Sequence, residues 1–239
     1  PVTVKSRMPS SAWKKKEYLF HDLWFKVRRH RCETPSGKII DPYYVYEFPT
    51  WVAAVPITED GRVIMVKQYR HALGEVCLEI PGGCMDDTDK DHQSAIAREL
   101  LEETGFEFSQ FDYLGRISAN PSTNNNLLHM FLARGGKKVA EQHLDPNEEI
   151  EVEFWTIDQL KAAVRNNEIV QAMHVTCIMY ALEKLSQKWK VKIQKREIGC
   201  KWMVNRKSWI VNSQWWTCAL LKVASISCKD AKKYLKLIT

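Results

Sequence analysis

This sequence predicts an α+β fold, a mixed β-sheet with helices packed on its faces, and three observations point to it. Apolar runs rich in Val, Ile and Tyr alternate with turn residues, most clearly WVAAVPI at 51–57 and RVIMVKQY at 62–69. Downstream, Ala95, Ile96, Leu100 and Leu101 recur at helical spacing between acidic capping candidates and a closing glycine. Further strands and helices then interleave without a strict strand–helix–strand repeat, which suggests a mixed sheet.

Taken in order, residues 1–42 are basic and aromatic, with Trp13, Tyr18, Phe20, Trp24 and Phe25 among lysines and arginines. The segment from Tyr18 to Arg31 carries strand-like alternation, and PSGK at 35–38 reads as a turn. TEDG at 58–61 joins the next two strands as a hairpin. VCLEI at 76–80 ends at Pro81-Gly82-Gly83, where the backbone is expected to turn sharply. Thr88, Asp89 and Asp91 are cap candidates for the helix that follows, and Gly105 supplies its stop. Strands are expected at 111–117, 127–133 and 150–155, with helices at 157–166 and about 170–187. The texture changes after 188, giving three segments: an N-terminal β segment at 1–45, a main domain at 46–188 and a Trp- and Cys-rich extension at 189–239.

Composition narrows the classes. The chain has 239 residues, 45% hydrophobic and 27% charged, which excludes collagen, a disordered tail protein and a disulfide miniprotein. No run approaches the roughly 18 apolar residues of a membrane helix, and the first residues carry no apolar stretch after their charges, so neither membrane nor secretion is expected. Seven cysteines, odd in number and without CxxC spacing, fit reduced thiols in a cytoplasm. The net charge of +6 is unevenly placed: residues 187–239 carry +11 and the remainder −5. A basic tail either binds nucleic acid or an anionic surface, or is merely solvated.

The chemistry is concentrated between Gly82 and Phe106, in GGCMDDTDKDHQSAIARELLEETGF. Glu99 and Glu103 lie four apart on one helix face with Glu102 alongside, and like charges there repel by a few tenths of a kcal/mol. Such a cluster is either a solvated acidic face or the seat of a cation. If a cation, oxygen-only ligands favour Mg²⁺ or Mn²⁺.

The whole string resembles the Nudix box, G-x5-E-x7-R-E-U-x-E-E-x-G-U. Arg98 to Phe106, RELLEETGF, matches its second half at every specified position. The first half departs, with one extra residue in the loop and Asp89 (or Asp87) where the family has glutamate. The resemblance implies a Nudix-type α/β/α sandwich, metal ligation by Glu99, Glu103 and the Gly82 carbonyl, and a place for Arg98 and Glu102 among the catalytic residues. VKQYR (66–70) followed by LEIPGG (78–83) is most similar to the ADP-ribose pyrophosphatases of that superfamily. By that likeness Arg70 contacts the diphosphate, Glu79 lies at the metal or substrate edge and Pro121 marks the substrate loop. Glu148, with Glu149 as its neighbour, matches the loop glutamate that serves as base.

The resemblance implies Mg²⁺-dependent hydrolysis of a nucleoside diphosphate derivative, ADP-ribose first, by a homodimer completed through the N-terminal segment. Another nucleoside diphosphate sugar or a dinucleotide is the alternative substrate. A catalytically weak binding or regulatory protein, with nucleic acid held only by the basic tail, is the alternative from another class.

Overall fold

The computed structural model describes residues 13–22 and 25–187. Trp24 and the extension at 189–239 lie outside them. The N-terminal segment forms an antiparallel meander of β1 (Trp13–His21), β2 (Lys26–Glu33) and β3 (Ile39–Glu47). The expected single strand from Tyr18 to Arg31 is therefore two. The strands part at Asp22, whose carboxylate accepts the Phe25 N–H at 2.8 Å.

The main sheet is built on β4 (Trp51–Thr58), an apolar run buried on both faces. Its residues alternate. Val52 and Ala54 pack with Ala95, Ile96 and Leu100 of helix α1 (His92–Thr104). Ala53 and Val55 face the other way, onto Leu160 and Ala163 of α2 (Ile157–Arg165) and Cys177, Ile178 and Ala181 of α3 (172–187). One strand thus separates two helical layers, and each fully buried aliphatic side chain contributes about 1.5–3 kcal/mol.

Around β4 lie β5 (Val63–Arg70), β6 (Glu75–Glu79), β7 (Gly82–Cys84), β8 (Phe106–Glu107), β9 (Gln110–Ile117), β10 (Leu128–Lys138) and β11 (Ile150–Trp155). The order is β11-β5-β4-β10-β8, with β6 on β5, β7 on β4 and β9 on β10. Among the described strands of this sheet only β4 and β10 pair in parallel, with Leu128 opposite Trp51, so the sheet is mixed. β10 continues to Lys138, beyond the expected end at 133, through an irregularity at Arg134–Gly136. There the Gly135-Gly136 pair sits at a bulge in the strand.

Two glycine-bearing sites depart from or sharpen the expectation. The chain bends at Pro81, as expected, and Gly82 and Gly83 then lie extended in β7, where close approach demands them. A Cβ on Gly82 would lie 2.3 Å from the Val52 carbonyl oxygen, and one on Gly83 2.6 Å from the Glu99 carboxylate. Gly105, by contrast, closes α1 in the left-handed region, with φ of 76°. Of the three cap candidates, Asp91 is the N-cap, bonded to the Ser94 N–H at 2.7 Å.

Candidate active site

Arg98 fastens the loop after β7 to helix α1. Its guanidinium donates to the Cys84 carbonyl at 2.9 Å, to both Asp89 oxygens at 3.3 and 3.0 Å, and to Glu102 at 2.8 Å. It also lies 3.0 Å from Glu99. Asp89, rather than Asp87, occupies the place of the expected glutamate, and its carboxylate is almost completely buried. Asp89 has a shorter side chain than glutamate, yet the extra loop residue leaves it within reach of Arg98.

Glu103 lies buried on the same helix, accepting the Gly82 N–H at 3.0 Å. Burial pushes its carboxyl well above the ordinary range, and the charges of Glu99 and Glu148 push it further. Burial likewise raises Glu99 to about 7, with Glu102 and Glu148 adding to it and Arg98 opposing. Three carboxylates from one helix and one loop therefore converge, two of them poorly hydrated.

This convergence suits a divalent cation. Among the described residues no three acidic, histidine or cysteine side chains are gathered tightly enough to hold an ion by themselves. Main-chain oxygen, water or a substrate phosphate would complete the set, and Gly83, lacking a Cβ, lets the backbone approach the Glu99 carboxylate closely. The all-oxygen character fits a hard ion.

Without a cation, the raised Glu99 value has a measurable effect on stability. Its contribution to the folded state is complete below about 4.5 and is lost as pH rises through about 7, a loss of about 3 kcal/mol. Glu103 acts in the same direction. In EDTA the melting temperature should fall between about pH 5 and pH 8, and Mg²⁺ should restore more of it at pH 8 than at pH 5. An equal cation effect at both pH values would remove the ion from this site.

Glu148 is half-buried and Glu149 is exposed, so only the first is set toward the helix carboxylates. Their loop is moored to the end of α1. Val139 N–H bonds the Gly105 carbonyl at 2.9 Å and His143 N–H the Glu102 carbonyl at 2.8 Å. The Gln142 side chain bridges the Glu103 and Ile150 carbonyls at 2.7 and 3.1 Å. Neither Gln142 nor His143 stands out in sequence, because what they bond is backbone.

Arg70 and Glu79 meet at the edge of this cluster. Arg70 Nε and Nη2 grip the two Glu79 oxygens at 2.8 and 2.5 Å. Glu79 is 3% exposed and Arg70 is partly open to solvent. The Arg70 fork is thus held by Glu79, and only its remaining N–H groups are left for a ligand. His174 of α3, another residue the sequence did not single out, places Nδ1 3.5 Å from Glu79. Pro121 is exposed in a turn whose neighbours bond β3, Thr123 O accepting the Tyr46 N–H at 2.8 Å.

His92 stacks on the buried His129 with ring centroids 3.6 Å apart. Trp51 joins Phe48 and Phe25 in an aromatic row, with centroids 5.4 and 5.1 Å apart. Phe25 and Phe48 line a hollow of about 460 Å³ that reaches Cys84 and Asp86.

Comparison with known proteins agrees with this geometry. The family described as NUDIX domain matches residues 48–173, and the nucleoside diphosphate sugar hydrolase N-terminal domain matches residues 14–46. A methanol dehydrogenase activator of Bacillus methanolicus is 28% identical, over 70% of this chain and 89% of the relative. An ADP-ribose pyrophosphatase of Bacillus subtilis (strain 168) is 29% identical, over 69% of this chain and 89% of the relative. A solved structure described as an ADP compounds hydrolase superposes with a TM-score of 0.65, covering 74% of this chain and 94% of that one at 21% identity.

Proposed function

The chain belongs to the NUDIX family, and from that premise we propose that it hydrolyses the diphosphate bond of a nucleoside diphosphate derivative in a metal-dependent reaction. The leading substrate is ADP-ribose, giving AMP and ribose 5-phosphate. The observation that carries this reading is the convergence of Glu99, Glu103 and Glu148 beside Gly82, with Arg70 close enough for its charge to act on Glu103. The ADP-ribose pyrophosphatase name of the Bacillus subtilis relative supports the substrate.

Glu99, Glu103 and the Gly82 carbonyl would hold the ion, Mg²⁺ or alternatively Mn²⁺. When bound, the ion supplies charge neutralisation at the phosphates and lowers the pKa of a water. Glu148 accepts the proton of the attacking water, with Glu149 the neighbouring alternative. The water oxygen bonds one phosphorus, and the bridging oxygen leaves with the other phosphate. Arg98 and Glu102 keep the helix and loop in register, Arg70 binds the diphosphate, Glu79 aims it, and Pro121 shapes the substrate loop.

The direct test is a panel of nucleoside diphosphate sugars and dinucleotides incubated with Mg²⁺ or Mn²⁺ and analysed for products. ADP-ribose should be cleaved fastest, EDTA should abolish cleavage and Mg²⁺ should restore it. Absence of nucleoside monophosphate from every compound would defeat the reading.

Arg70→Lys keeps the charge but loses the planar fork that both Glu79 and a diphosphate require. It should therefore harm nearly as much as Arg70→Ala, mostly by raising KM about tenfold or more, in line with about 1.5–3 kcal/mol for a charge-assisted hydrogen bond. Unchanged kinetics in both variants would leave Arg70 a surface charge.

The same reading includes a homodimer. Tyr18, Leu19, Phe20, Ile39, Ile40 and Tyr44 leave apolar surface exposed on the β1–β3 sheet. Light scattering should give about twice the 27.8 kDa chain mass, and a monomer at micromolar concentration would contradict it. Cys32, Cys77, Cys84 and Cys177 are free thiols, which suits a cytoplasmic setting. Among the described residues no helix is long and apolar enough to cross a membrane.

A further inference from the structure

Glu79 raises a problem that Arg70 only partly solves. A carboxylate this deeply buried needs donors for its oxygens, and Arg70 approaches from the solvent side, its side chain 43% exposed. Behind Glu79 stands His174, in the first turn of α3, with its side chain 10% exposed. One turn further on, Cys177 is buried against the sheet, so this end of α3 is firmly seated. His174 Nδ1 has no hydrogen-bond partner among the described residues, and Glu79 Oε2 lies 3.5 Å from it. That oxygen also receives Arg70 Nη2. Histidine, glutamate and arginine thus form a row running from the interior to the site.

The chemistry of the row fixes the tautomer. Burial pushes His174 down to about 4, so the ring is neutral at neutral pH. An ionised carboxylate only accepts hydrogen bonds, so the proton of the neutral ring belongs on Nδ1. A second full charge is not needed there, since Arg70 already balances Glu79.

We propose that His174 is a positioning residue: it presents Nδ1–H to the back of Glu79, and Glu79 in turn fixes the orientation in which Arg70 meets an anionic substrate. The proposal rests on the reading of Arg70 as the diphosphate contact. It separates His174 from ordinary core histidines, whose replacement by an apolar residue of similar size would leave Arg70 undisturbed.

The test compares His174→Leu, which removes the donor, with His174→Asn, whose amide nitrogen can stand in for Nδ1–H. The first readout is hydrogen exchange at Arg70 Nε–H in substrate-free protein, followed by NMR and identified by loss of the signal in Arg70→Lys. Exchange should quicken about fivefold or more in the leucine variant and stay within about twofold of wild type in the asparagine variant. The second is kinetics: His174→Leu should raise KM for ADP-ribose about five- to tenfold with kcat within about twofold, and His174→Asn should rescue it.

Unchanged Arg70 exchange in a leucine variant melting within about 2 °C of wild type would overturn the proposal. Equal damage in both variants would overturn it as well, since packing alone would then be at stake. If wild type cleaves no nucleoside diphosphate compound, the proposed function fails, while the exchange measurement still decides whether His174 sets Arg70.

Discussion

Glu103→Gln should lower turnover by at least about 100-fold, in line with a group that acts mainly on transition-state charge. The fold should survive, because glutamine keeps an oxygen to accept the Gly82 N–H that now bonds Glu103 at 3.0 Å. Stability supplies a second, opposite signal. The Glu103 carboxyl is costly in the cation-free protein, raised by burial and by Glu99. Replacing it with a neutral amide should hold or raise the melting temperature in EDTA at pH 8, and should shrink the further increase that Mg²⁺ brings. Activity lost with stability gained is the mark of a binding site built from mutually repelling groups. Near wild-type turnover at saturating Mg²⁺ would sink the assignment of Glu103.

Two adjacent glycine substitutions should fail for different reasons. In Gly82→Ala the new methyl would lie 2.3 Å from the Val52 carbonyl oxygen and 2.7 Å from the Ala53 Cα, both backbone atoms of the central strand β4. Neither can yield without displacing the strand, so a loss of about 3 kcal/mol or more is expected, with poor expression. In Gly83→Ala the obstacle is the Glu99 carboxylate at 2.6 Å, the far end of a flexible side chain. That side chain can swing aside, which spares the fold and misplaces the carboxylate. The expected result is a melting temperature within about 3 °C of wild type but a fall in kcat of about tenfold or more. Thermal melts and steady-state kinetics on the pair check this. A stable, active Gly82→Ala would show that β7 does not press on β4 as closely as described.

Much of this was legible in the sequence, for reasons that differ by residue. Helix α1 announced itself through Ala95, Ile96, Leu100 and Gly105, because helical spacing and a left-handed C-cap leave local signatures. β4 and β5 were legible because apolar runs flanked a turn. The Arg98–Asp89 pairing could only be posed as a question, since an extra loop residue changes reach and spacing together. The division of Tyr18–Arg31 into two strands was hidden, because Asp22 acts through one side-chain bond to backbone. Gln142 was hidden for the same reason. His174 was invisible for another: its partner Glu79 lies on a different element far away in sequence, and only the packing of α3 on the sheet joins them.

The parallel pairing of β4 with β10 has a consequence for the chain as it is being made. β4 is apolar on both faces and takes its neighbours from late in the sequence: Leu128 to Gly136 along one edge, and helices α2 and α3 on one face. When residues 51–58 leave the ribosome, residues 59–127 must still be translated before β10 can begin to dock. At about 5–20 residues per second that is a wait of roughly 3–14 s. Through that interval the hairpin with β5, then β7 and α1, are the cover available to a strand that would otherwise pair with copies of itself on neighbouring nascent chains. Helix α1, which bears Glu99 and Glu103, therefore also serves as an early shield, arriving on the ribosome well before the strand that completes the sheet.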